Sequence, residues 1–233
     1  MSPNSAAVSP LDVGVLLPAA GRGERAGAGD LKQFRSIAGV PMLLRAVRPF
    51  ARHPRVRQIV IALPQEHVAR PPEWLADLVG QRLKTVGGGA TRAASVRAAL
   101  RMLDSACTIV LVHDAARPFV SQAEIDAVIA AAERGSGALA AIPVSDTLKR
   151  AAADGFATTV PRDGLWRALT PQGFPRQLLE DAYARAGDEL DATDDAALVE
   201  ALGAPVVLVE GRTTNIKVTS PDDFLLAEAL AHG

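Results

Sequence analysis

The sequence predicts an α/β fold in which helices flank a mostly parallel sheet, and three observations predict it. Short runs rich in Val, Ile and Leu alternate with longer Ala-rich stretches that have helical spacing. The apolar runs are continuous rather than alternating, which predicts strands that are covered on both faces. The 233 residues, 48% apolar and 22% charged, have the length and composition of one large globular domain. We therefore expect residues 11–233 to form a single domain, preceded by a disordered lead-in over residues 1–10.

The elements follow one another along the chain in the order that βαβ units require. Strands are predicted over residues 13–17, 58–63, 83–86, 108–112, 138–142 and 206–209. Helices are predicted between them, over residues 41–51, 66–79, 92–103 and 122–134.

Helix starts are marked by capping residues. Ser121 followed by Glu124 predicts a capping box at the start of the helix over 122–134. Thr193 is predicted to cap a later helix whose first turn carries acidic residues, which is favoured over the alternative that these residues form a metal pair. Ser220 is predicted to cap the last helix, with Pro221 at its first position.

Residues 143–169 interrupt this alternation. Two β-prone runs surround Asp154 and Gly155, which predicts a hairpin. A two-stranded hairpin has too little core to be stable alone in water. The residues by themselves leave open whether it packs on its own subunit or is buried against a partner.

Composition and charge exclude several classes of function. Lys and Arg number 25 against 26 Asp and Glu, which argues against a broad basic face for nucleic acid or a membrane surface. The uncharged stretch 135–145 is far shorter than the ~20 apolar residues that a membrane span needs. We expect no signal peptide. Cys107 is the only cysteine, so we expect a buried small apolar side chain and a reducing compartment, the cytoplasm.

The loop after the first strand has the composition of a phosphate cradle. In "VGVLLPAAGRGERAGAGDLKQF" (13–34) small residues let backbone amides approach an anion, and basic residues follow them. The loop has neither the Gly-Lys-Ser/Thr of a Walker loop nor the third glycine of a dinucleotide fingerprint, where Ala26 stands instead. A simple turn with solvated loop charges is the alternative reading.

Three further segments place polar residues at the carboxyl ends of other strands. They are "GGGATRAASV" (87–96), "VLVHDAARPF" (110–119) and "NIKVTSPDD" (215–223), in which Lys217 is predicted to lie on a short strand. Such strand ends converge on one cleft in this architecture. His113 precedes Asp114, and a hydrogen-bonded structural histidine is favoured there over an acid–base catalyst.

Seven motifs occur in order over residues 13–230, and together they resemble the 2-C-methyl-D-erythritol 4-phosphate cytidylyltransferases of the non-mevalonate isoprenoid pathway. They are "PAAGRGERAGAGDLKQF", "GGGATRAASV", "VLVHDAARPF", "PVSDTLKR", "RDGLWRALTPQGF", "TDDAALVEALG" and "VEGRTTNIKVT". The resemblance implies a Rossmann-like nucleotidyltransferase fold and a homodimer in which the β-arms, residues 143–168, cross between subunits.

The resemblance also implies roles for individual residues. Arg25 and Lys32 resemble the pair that stabilises the transition state, and Arg162, from the partner's arm, and Lys217 resemble residues that position the methylerythritol phosphate. Positions similar to CTP contacts are Ala19, Ala20, Gly21, Gly23, Gly89, Ser95 and Ala115. Positions similar to polyol phosphate contacts are Asp114, Arg117, Thr147 and Thr170. Ala90 departs from relatives that carry an acidic residue there, and residues 26–31 form a variable stretch.

The implied reaction is attack by a phosphate monoester on the α-phosphorus of CTP, which releases pyrophosphate. The second pKa of such a phosphate is ~6, so no general base is needed. Fixed cations and Mg²⁺ carried mostly on phosphate oxygens would neutralise the developing charge, and no metal residue is assigned. The alternatives are a ribitol 5-phosphate cytidylyltransferase, which has a closely similar sequence, and a nucleotide-binding protein without turnover.

Overall fold

A seven-stranded mixed sheet forms the centre of the protein, whose computed structural model describes residues 12–21, 31–75, 82–153, 155–187 and 192–232. The predicted lead-in, residues 1–10, lies outside these ranges. The strands are β1 Val13–Pro18, β2 Ser36–Ile37, β3 Val40–Pro41, β4 Val56–Leu63, β5 Leu83–Gly87, β6 Ile109–Val112, β7 Gly137–Pro143, β8 Leu148–Ala151, β9 Ala157–Val160, β10 Trp166–Pro175 and β11 Val206–Glu210. The helices are α1 Met42–Ala51, α2 Arg92–Arg101, α3 Gln122–Ala132, α4 Arg176–Ala186, α5 Asp195–Ala201 and α6 Pro221–His232.

The strand order β11-β7-β10-β6-β1-β4-β5 creates a switch point beside β1. From β1 the chain moves outward through β4 and β5, then returns to add β6 on the other side of β1. These four strands are parallel, so their carboxyl ends share one edge of the sheet. Ligands bind at such an edge in open α/β sheets, next to the switch point. The predicted mostly parallel sheet is confirmed, and so are all six predicted strands.

Strand β10 is the exception to the parallel arrangement. It lies antiparallel between β6 and β7, with Gln172 opposite Val112 on one side and opposite Leu139 on the other. Strand β10 is not predicted from the sequence, because it directly follows the hairpin and contains Pro and Gly residues that are untypical of a central strand. A register irregularity between Ala168 and Gln172 accommodates this region.

Apolar layers cover both faces of the sheet, which explains the continuous apolar runs. On β1, Val13, Val15 and Leu17 belong to the core layer shared with α1 and α3, whereas Leu16 belongs to the layer shared with α2, α4 and α5. Adjacent residues of a strand point to opposite faces, so a strand buried on both sides needs apolar residues at every position. Cys107 is buried in the second layer, as predicted.

Several predicted features differ from the structure for identifiable reasons. Within the helix predicted over 66–79, the described residues form a short 3₁₀ turn, Gln65–His67, and become helical again at residues 73–75, while residues 76–81 lie outside the described ranges. Pro71 and Pro72 interrupt it, since proline removes an amide donor and disfavours helix at the preceding residue. The last apolar run, β11, lies at the end of the sheet order, so Val207 and Leu208 are exposed rather than covered.

Capping explains where three helices begin. The capping box of Ser121 and Glu124 is present at the start of α3, as predicted. Ser220 accepts a hydrogen bond from the amide of Asp223 at 3.2 Å, which confirms the cap of α6. At α5 the prediction was wrong by one position. Asp194, not Thr193, accepts from the amide of Ala197 at 2.9 Å.

The predicted hairpin is confirmed as a separate two-stranded sheet of β8 and β9. Asp154, predicted in its turn, lies outside the described residues, and Gly155 has a positive φ of 85°. Phe156 is 75% exposed beside this turn.

No helix among the described residues is long and apolar enough to cross a membrane.

Candidate functional site

A cleft of 580 Å³ opens at the carboxyl ends of β1, β5 and β6. It is lined by the residues that follow these strands, by the start of α2 and by two segments distant in sequence that carry lysines. The lining residues are Pro18, Ala19, Ala20, Gly21, Lys32, Gln33, Met42, Gly89, Ala90, Thr91, Arg92, Ser95, Asp114, Ala115, Ala116 and Lys217. The four segments predicted to converge at one cleft do so.

The loop after β1 contributes a small-residue wall. Ala19 donates its amide to Ala62 at 2.8 Å, which continues the β1–β4 pairing beyond the strand. Its carbonyl accepts from the side-chain amide of Gln33 at 2.7 Å, so the wall is tied to the turn that carries Lys32. The Lys32 ammonium donates to the carbonyl of Val218 at 3.1 Å, although the two residues lie 186 positions apart.

The glycines after β5 allow close backbone approach. A Cβ on Gly88 would lie 2.1 Å from the Cβ of Ala20, so only glycine lets the two loops pack against each other. The amide of Gly89 donates to the Ser95 hydroxyl at 3.1 Å, and that hydroxyl donates to the carbonyl of Thr91 at 3.0 Å. Gly89 and Ser95, both predicted as CTP contacts, therefore also hold the loop in shape.

Asp114 is the centre of an ion-pair cluster on the cleft wall. Its carboxylate accepts from Arg92 Nε at 2.9 Å and from Lys217 Nζ at 2.8 Å. The opposite end of the Arg92 guanidinium donates to Asp195 at 2.7 Å, and Asp195 is 0% exposed. Asp195 in turn accepts from the Tyr183 hydroxyl at 2.6 Å. A continuous line of charge-assisted hydrogen bonds thus runs from Lys217 into the core.

These contacts shift the pKa values of the groups concerned. Burial alone would raise the pKa of Asp114, but the charges of Arg92 and Lys217 hold it well below its usual range. Burial alone would lower the pKa of Arg92, but the charges of Asp195 and Asp114 raise it above its ordinary value. Burial, followed by the charge of Asp195, raises the pKa of Tyr183. At neutral pH the carboxylate of Asp114 and the guanidinium of Arg92 are both ionised.

A second set of hydrogen bonds lies beneath the cleft. His113 is fully buried, and its Nε2 donates to the carbonyl of Arg117 at 3.0 Å, so its Nδ1 accepts from the Thr170 hydroxyl at 2.9 Å. Thr170 then accepts from the amide of Asp114 at 3.0 Å. Burial lowers the pKa of His113 to about 4, so the imidazole is neutral. The structural histidine that the sequence favoured is confirmed.

The side chain of Arg117 is buried among these hydrogen-bonded groups beneath the cleft rather than exposed to solvent. It donates through Nη1 to the carbonyl of Asn215 at 2.7 Å, and its Nε lies 3.9 Å from Asp114. Burial is the main reason why its pKa is lowered. Arg117 and Thr170, both predicted as polyol phosphate contacts, lie behind the Asp114 wall, and that predicted contact stays a prediction.

The structure thus brings together most, but not all, of the predicted site residues. Those that line the cleft are Ala19, Ala20, Gly21, Lys32, Gly89, Ser95, Asp114, Ala115 and Lys217. Thr147 and Arg162 are exposed on the arm outside the lining, where Arg162 donates to the carbonyl of Ser145. Gly23 and Arg25 lie outside the described residues. Lys217 lies in an irregular segment rather than on the predicted short strand, and its neighbour Val218 donates its amide to the carbonyl of Ala116 at 2.8 Å.

Sequence reasoning missed the structural roles of Gly88, Arg92 and Asp195. Arg92 carried a usable signal. A cation in the first turn of a helix opposes the helix dipole, which indicates that a buried anion must lie nearby. Asp195 was considered only as an acidic residue of a first helical turn or as half of a metal pair with Asp194, because its partners are far apart in sequence and only packing brings them together.

Metal binding was tested on the donor set of the site. The part of the chain that the structure describes contains no group of three His, Cys, Asp or Glu side chains able to hold a metal. Among the described residues that line the cleft, Asp114 is the one carboxylate, and two cations occupy its oxygens at hydrogen-bond distance. These residues fit a metal that is carried by phosphate oxygens of a ligand rather than by a protein cage.

Comparisons with known proteins give one consistent result. The family model described as IspD: 2-C-methyl-D-erythritol 4-phosphate cytidylyltransferase matches residues 13–232. The 2-C-methyl-D-erythritol 4-phosphate cytidylyltransferase of Salinibacter ruber is 47% identical over 218 residues, covering 93% of this chain and 91% of that relative. The corresponding crystal structure from Thermus thermophilus has a TM-score of 0.79 and 40% identity, covering 95% of this chain and 100% of that one. The bifunctional enzyme IspD/IspF of Desulfotalea psychrophila is 40% identical, over 92% of this chain and 55% of that enzyme.

Proposed function

Because the chain belongs to the 2-C-methyl-D-erythritol 4-phosphate cytidylyltransferase family and transfers a cytidylyl group from CTP in the non-mevalonate pathway, we propose which of its residues carry out that reaction. The ribitol 5-phosphate alternative is not favoured, since the relatives and structures matched are methylerythritol phosphate enzymes. A binder without turnover is not favoured for the same reason.

The nucleotide occupies the small-residue side of the cleft in this proposal. Ala19, Ala20 and Gly21 form one wall, and Gly89 with Ser95 forms the other, so backbone rather than bulky side chains faces the ligand. Residues without large side chains let a nucleotide approach the main chain closely. Ala115 continues this wall after β6. Gly23 and Arg25, which lie outside the described residues, keep their predicted roles on the phosphates.

The observation that carries the proposed catalytic roles is the convergence of Lys32 and Lys217 on one cleft. A phosphate oxygen of methylerythritol phosphate attacks the α-phosphorus of CTP, and the bond to the bridging oxygen breaks as pyrophosphate leaves. Negative charge grows on the phosphate oxygens during this exchange, and fixed cations stabilise it. Lys217 is 44% exposed and bonds to Asp114, which holds its ammonium in the cleft while leaving it accessible to a phosphate.

Magnesium is part of this proposal as an ion bound to the phosphates of CTP. When bound it would withdraw charge from the phosphates. The residues that face those phosphates are the cations of the cleft, and Asp114 is committed to Arg92 and Lys217. We therefore assign no residue of the protein as a direct metal ligand.

The arm supports the proposal of a homodimer. The exposed β8–β9 sheet and the 75% exposed Phe156 are unsuited to solvent, because a two-stranded hairpin has too little core of its own. A second copy of the chain would cover this surface and bring Arg162, and with it Thr147, to the other subunit's cleft. The buried thiol of Cys107 and the nucleotide substrate support a cytoplasmic location, which stays a prediction.

Pyrophosphate release tests the substrate and the role of Lys217 together. With CTP and Mg²⁺, we expect release with methylerythritol 4-phosphate and none with ribitol 5-phosphate. Lys217→Ala should lower kcat by at least about 100-fold while CTP affinity changes by less than about threefold, because charge stabilisation acts in the transition state. Lys84→Ala, which removes an exposed lysine outside the cleft, is the matched control and should keep full activity. Equal losses of kcat and CTP affinity would refute the assigned role of Lys217.

Subunit mixing tests the arm exchange. Lys217→Ala and Arg162→Ala subunits should each be inactive as homodimers. If Arg162 acts across the dimer, a mixed dimer contains one site with both residues intact, so mixing restores activity. Mixed dimers that form without any recovery would assign Arg162 to its own subunit's site.

A further inference from the structure

The segment that carries Lys217 has no regular secondary structure, and side chains determine its course. It runs from the end of β11 at Glu210 to Pro221, the first residue of α6. Backbone contacts hold it near its two ends, through Gly211 to Ala141 at 2.8 Å and Val218 to Ala116 at 2.8 Å. Between these anchors, its position depends on contacts made to side chains.

Glu124 supplies the main contact. Its carboxylate is 2% exposed, and one oxygen accepts from the amide and hydroxyl of Ser121 at 2.9 and 2.8 Å. The other oxygen accepts from the amide of Arg212 and the side-chain amide of Asn215, both at 3.0 Å. One carboxylate therefore caps α3 with one oxygen and holds the Lys217 segment with the other. A Cβ on Gly211 would lie 3.2 Å from this carboxylate, which shows how closely the segment passes.

Asn215 transmits this contact to the cleft wall. Its side chain is buried, and besides Glu124 its amide donates to the carbonyl of Thr170 at 2.9 Å. The Thr170 hydroxyl accepts from the amide of Asp114, and Asp114 accepts from Lys217 at 2.8 Å. Lys217 is thus restrained at its backbone by the adjacent Val218 anchor and by Asn215 two residues earlier, and at its ammonium by Asp114. A short side chain with two N–H donors, as Asn has, meets both acceptors.

We propose that Glu124 and Asn215 are positioning residues for Lys217 in cytidylyl transfer, so that the cap of α3 and the placement of a catalytic cation share one buried carboxylate. The proposal rests on the catalytic role proposed above for Lys217. Neither residue lines the cleft. Their effect on the reaction is therefore expected through the placement of Lys217 and not through direct substrate contact.

Glu124→Gln is the principal test. Glutamine has the same side-chain length as glutamate and can still cap α3. All four groups that contact the Glu124 carboxylate donate hydrogen bonds to it. The amide nitrogen of glutamine is itself a donor, so whichever oxygen it replaces, it faces donors and loses those hydrogen bonds. We expect kcat to fall by about 10- to 100-fold, the loss that a displacement of about 1 Å at a reacting centre produces, with KM for CTP within about twofold. Ser121→Ala is the matched control. It weakens the cap and lowers Tm by about 2–4 °C, but leaves the contacts to Arg212 and Asn215, so kcat should be unchanged.

A double-mutant cycle separates positioning from a general loss of stability. If Glu124 acts through Lys217, Glu124→Gln added to Lys217→Ala should lower kcat by less than about twofold further. The same fold loss in both backgrounds would overturn the proposal, and so would equal kcat in the Glu124→Gln and Ser121→Ala variants. An unchanged kcat in Lys217→Ala alone would instead refute the proposed function of Lys217. If Glu124→Gln does not fold, Asn215→Ala takes its place in the cycle with the same expectations.

Discussion

The neutral state of His113 makes a quantitative prediction about stability and pH. The imidazole is fully buried, and its ring lies 4.9 Å from that of Phe50. Burial outweighs the hydrogen bond to the carbonyl of Arg117 and lowers the pKa from 6.5 to about 4. In the unfolded chain the same side chain returns to an ordinary pKa near 6.5. Between these two values the unfolded chain binds a proton that the folded protein does not.

Stability therefore rises with pH through this window and is lost as pH falls from about 6.5 toward about 4. The full difference in pKa corresponds to about 3 kcal/mol, of which about 2 kcal/mol is already lost at pH 5 and almost none at pH 7.5. Protonation of His113 also removes its hydrogen bond from the Thr170 hydroxyl, since an imidazolium has no acceptor nitrogen. In the folded protein, acid below about pH 4 should thus weaken the support beneath Asp114.

Urea unfolding at pH 7.5 and pH 5, followed by circular dichroism, measures this effect. His113→Gln is the comparison, because a glutamine amide can donate to the carbonyl of Arg117 but does not titrate. The free energy of unfolding of the wild type should fall by about 2 kcal/mol more than that of the variant between the two pH values. Equal losses in the two proteins would refute the reasoning, since all other titrating groups are common to both.

Three further predictions follow from particular contacts. Asp195→Asn should lower the free energy of unfolding by about 2–3 kcal/mol. This is less than the usual loss when a buried ion pair is broken, because Arg92 still forms its ion pair with Asp114 and its side chain is one quarter exposed to solvent. Gly88→Ala should weaken CTP binding by at least about tenfold, since its Cβ would lie 2.1 Å from Ala20 and push apart the two cleft loops. Ala38→Gly should stabilise the protein by about 0.5 kcal/mol, because Ala38 has a φ of 46° in a tight turn.

Each of these has a control or an opposing outcome. Asp181→Asn, at an exposed carboxylate on α4, should change stability by less than about 0.5 kcal/mol, and an equal effect of both Asp→Asn variants would contradict the buried-pair argument. CTP titration calorimetry showing wild-type affinity for Gly88→Ala would mean that the loops accommodate the extra carbon. Ala130→Gly, within α3, should destabilise by about 1 kcal/mol. The same sign for both Ala→Gly variants would argue against strain at Ala38.

The elements of the fold were largely predictable because they depend on local patterns. The apolar residues of β1 divide between two apolar layers, one on each face of the sheet, so a continuous apolar run identified the strand. The exceptions have physical causes that a pattern does not contain. An apolar run cannot report whether it becomes a central strand or an outer one, as β11 did, and nothing in the composition of β10 indicates that it inserts antiparallel between β6 and β7.

The chemistry of the site divides in the same way. The order of residues alone indicates that small residues and cations follow the strand ends, and parallel strands then bring Lys32, Asp114 and Lys217 to one cleft. Their hydrogen-bond and ion-pair partners depend on how the chain folds in three dimensions. Arg92 joins Asp114, 22 positions away, to Asp195, 103 positions away, and Glu124 holds a segment about 90 residues distant. Such pairs are selected by burial, because a charge removed from water must find its partner wherever packing places one.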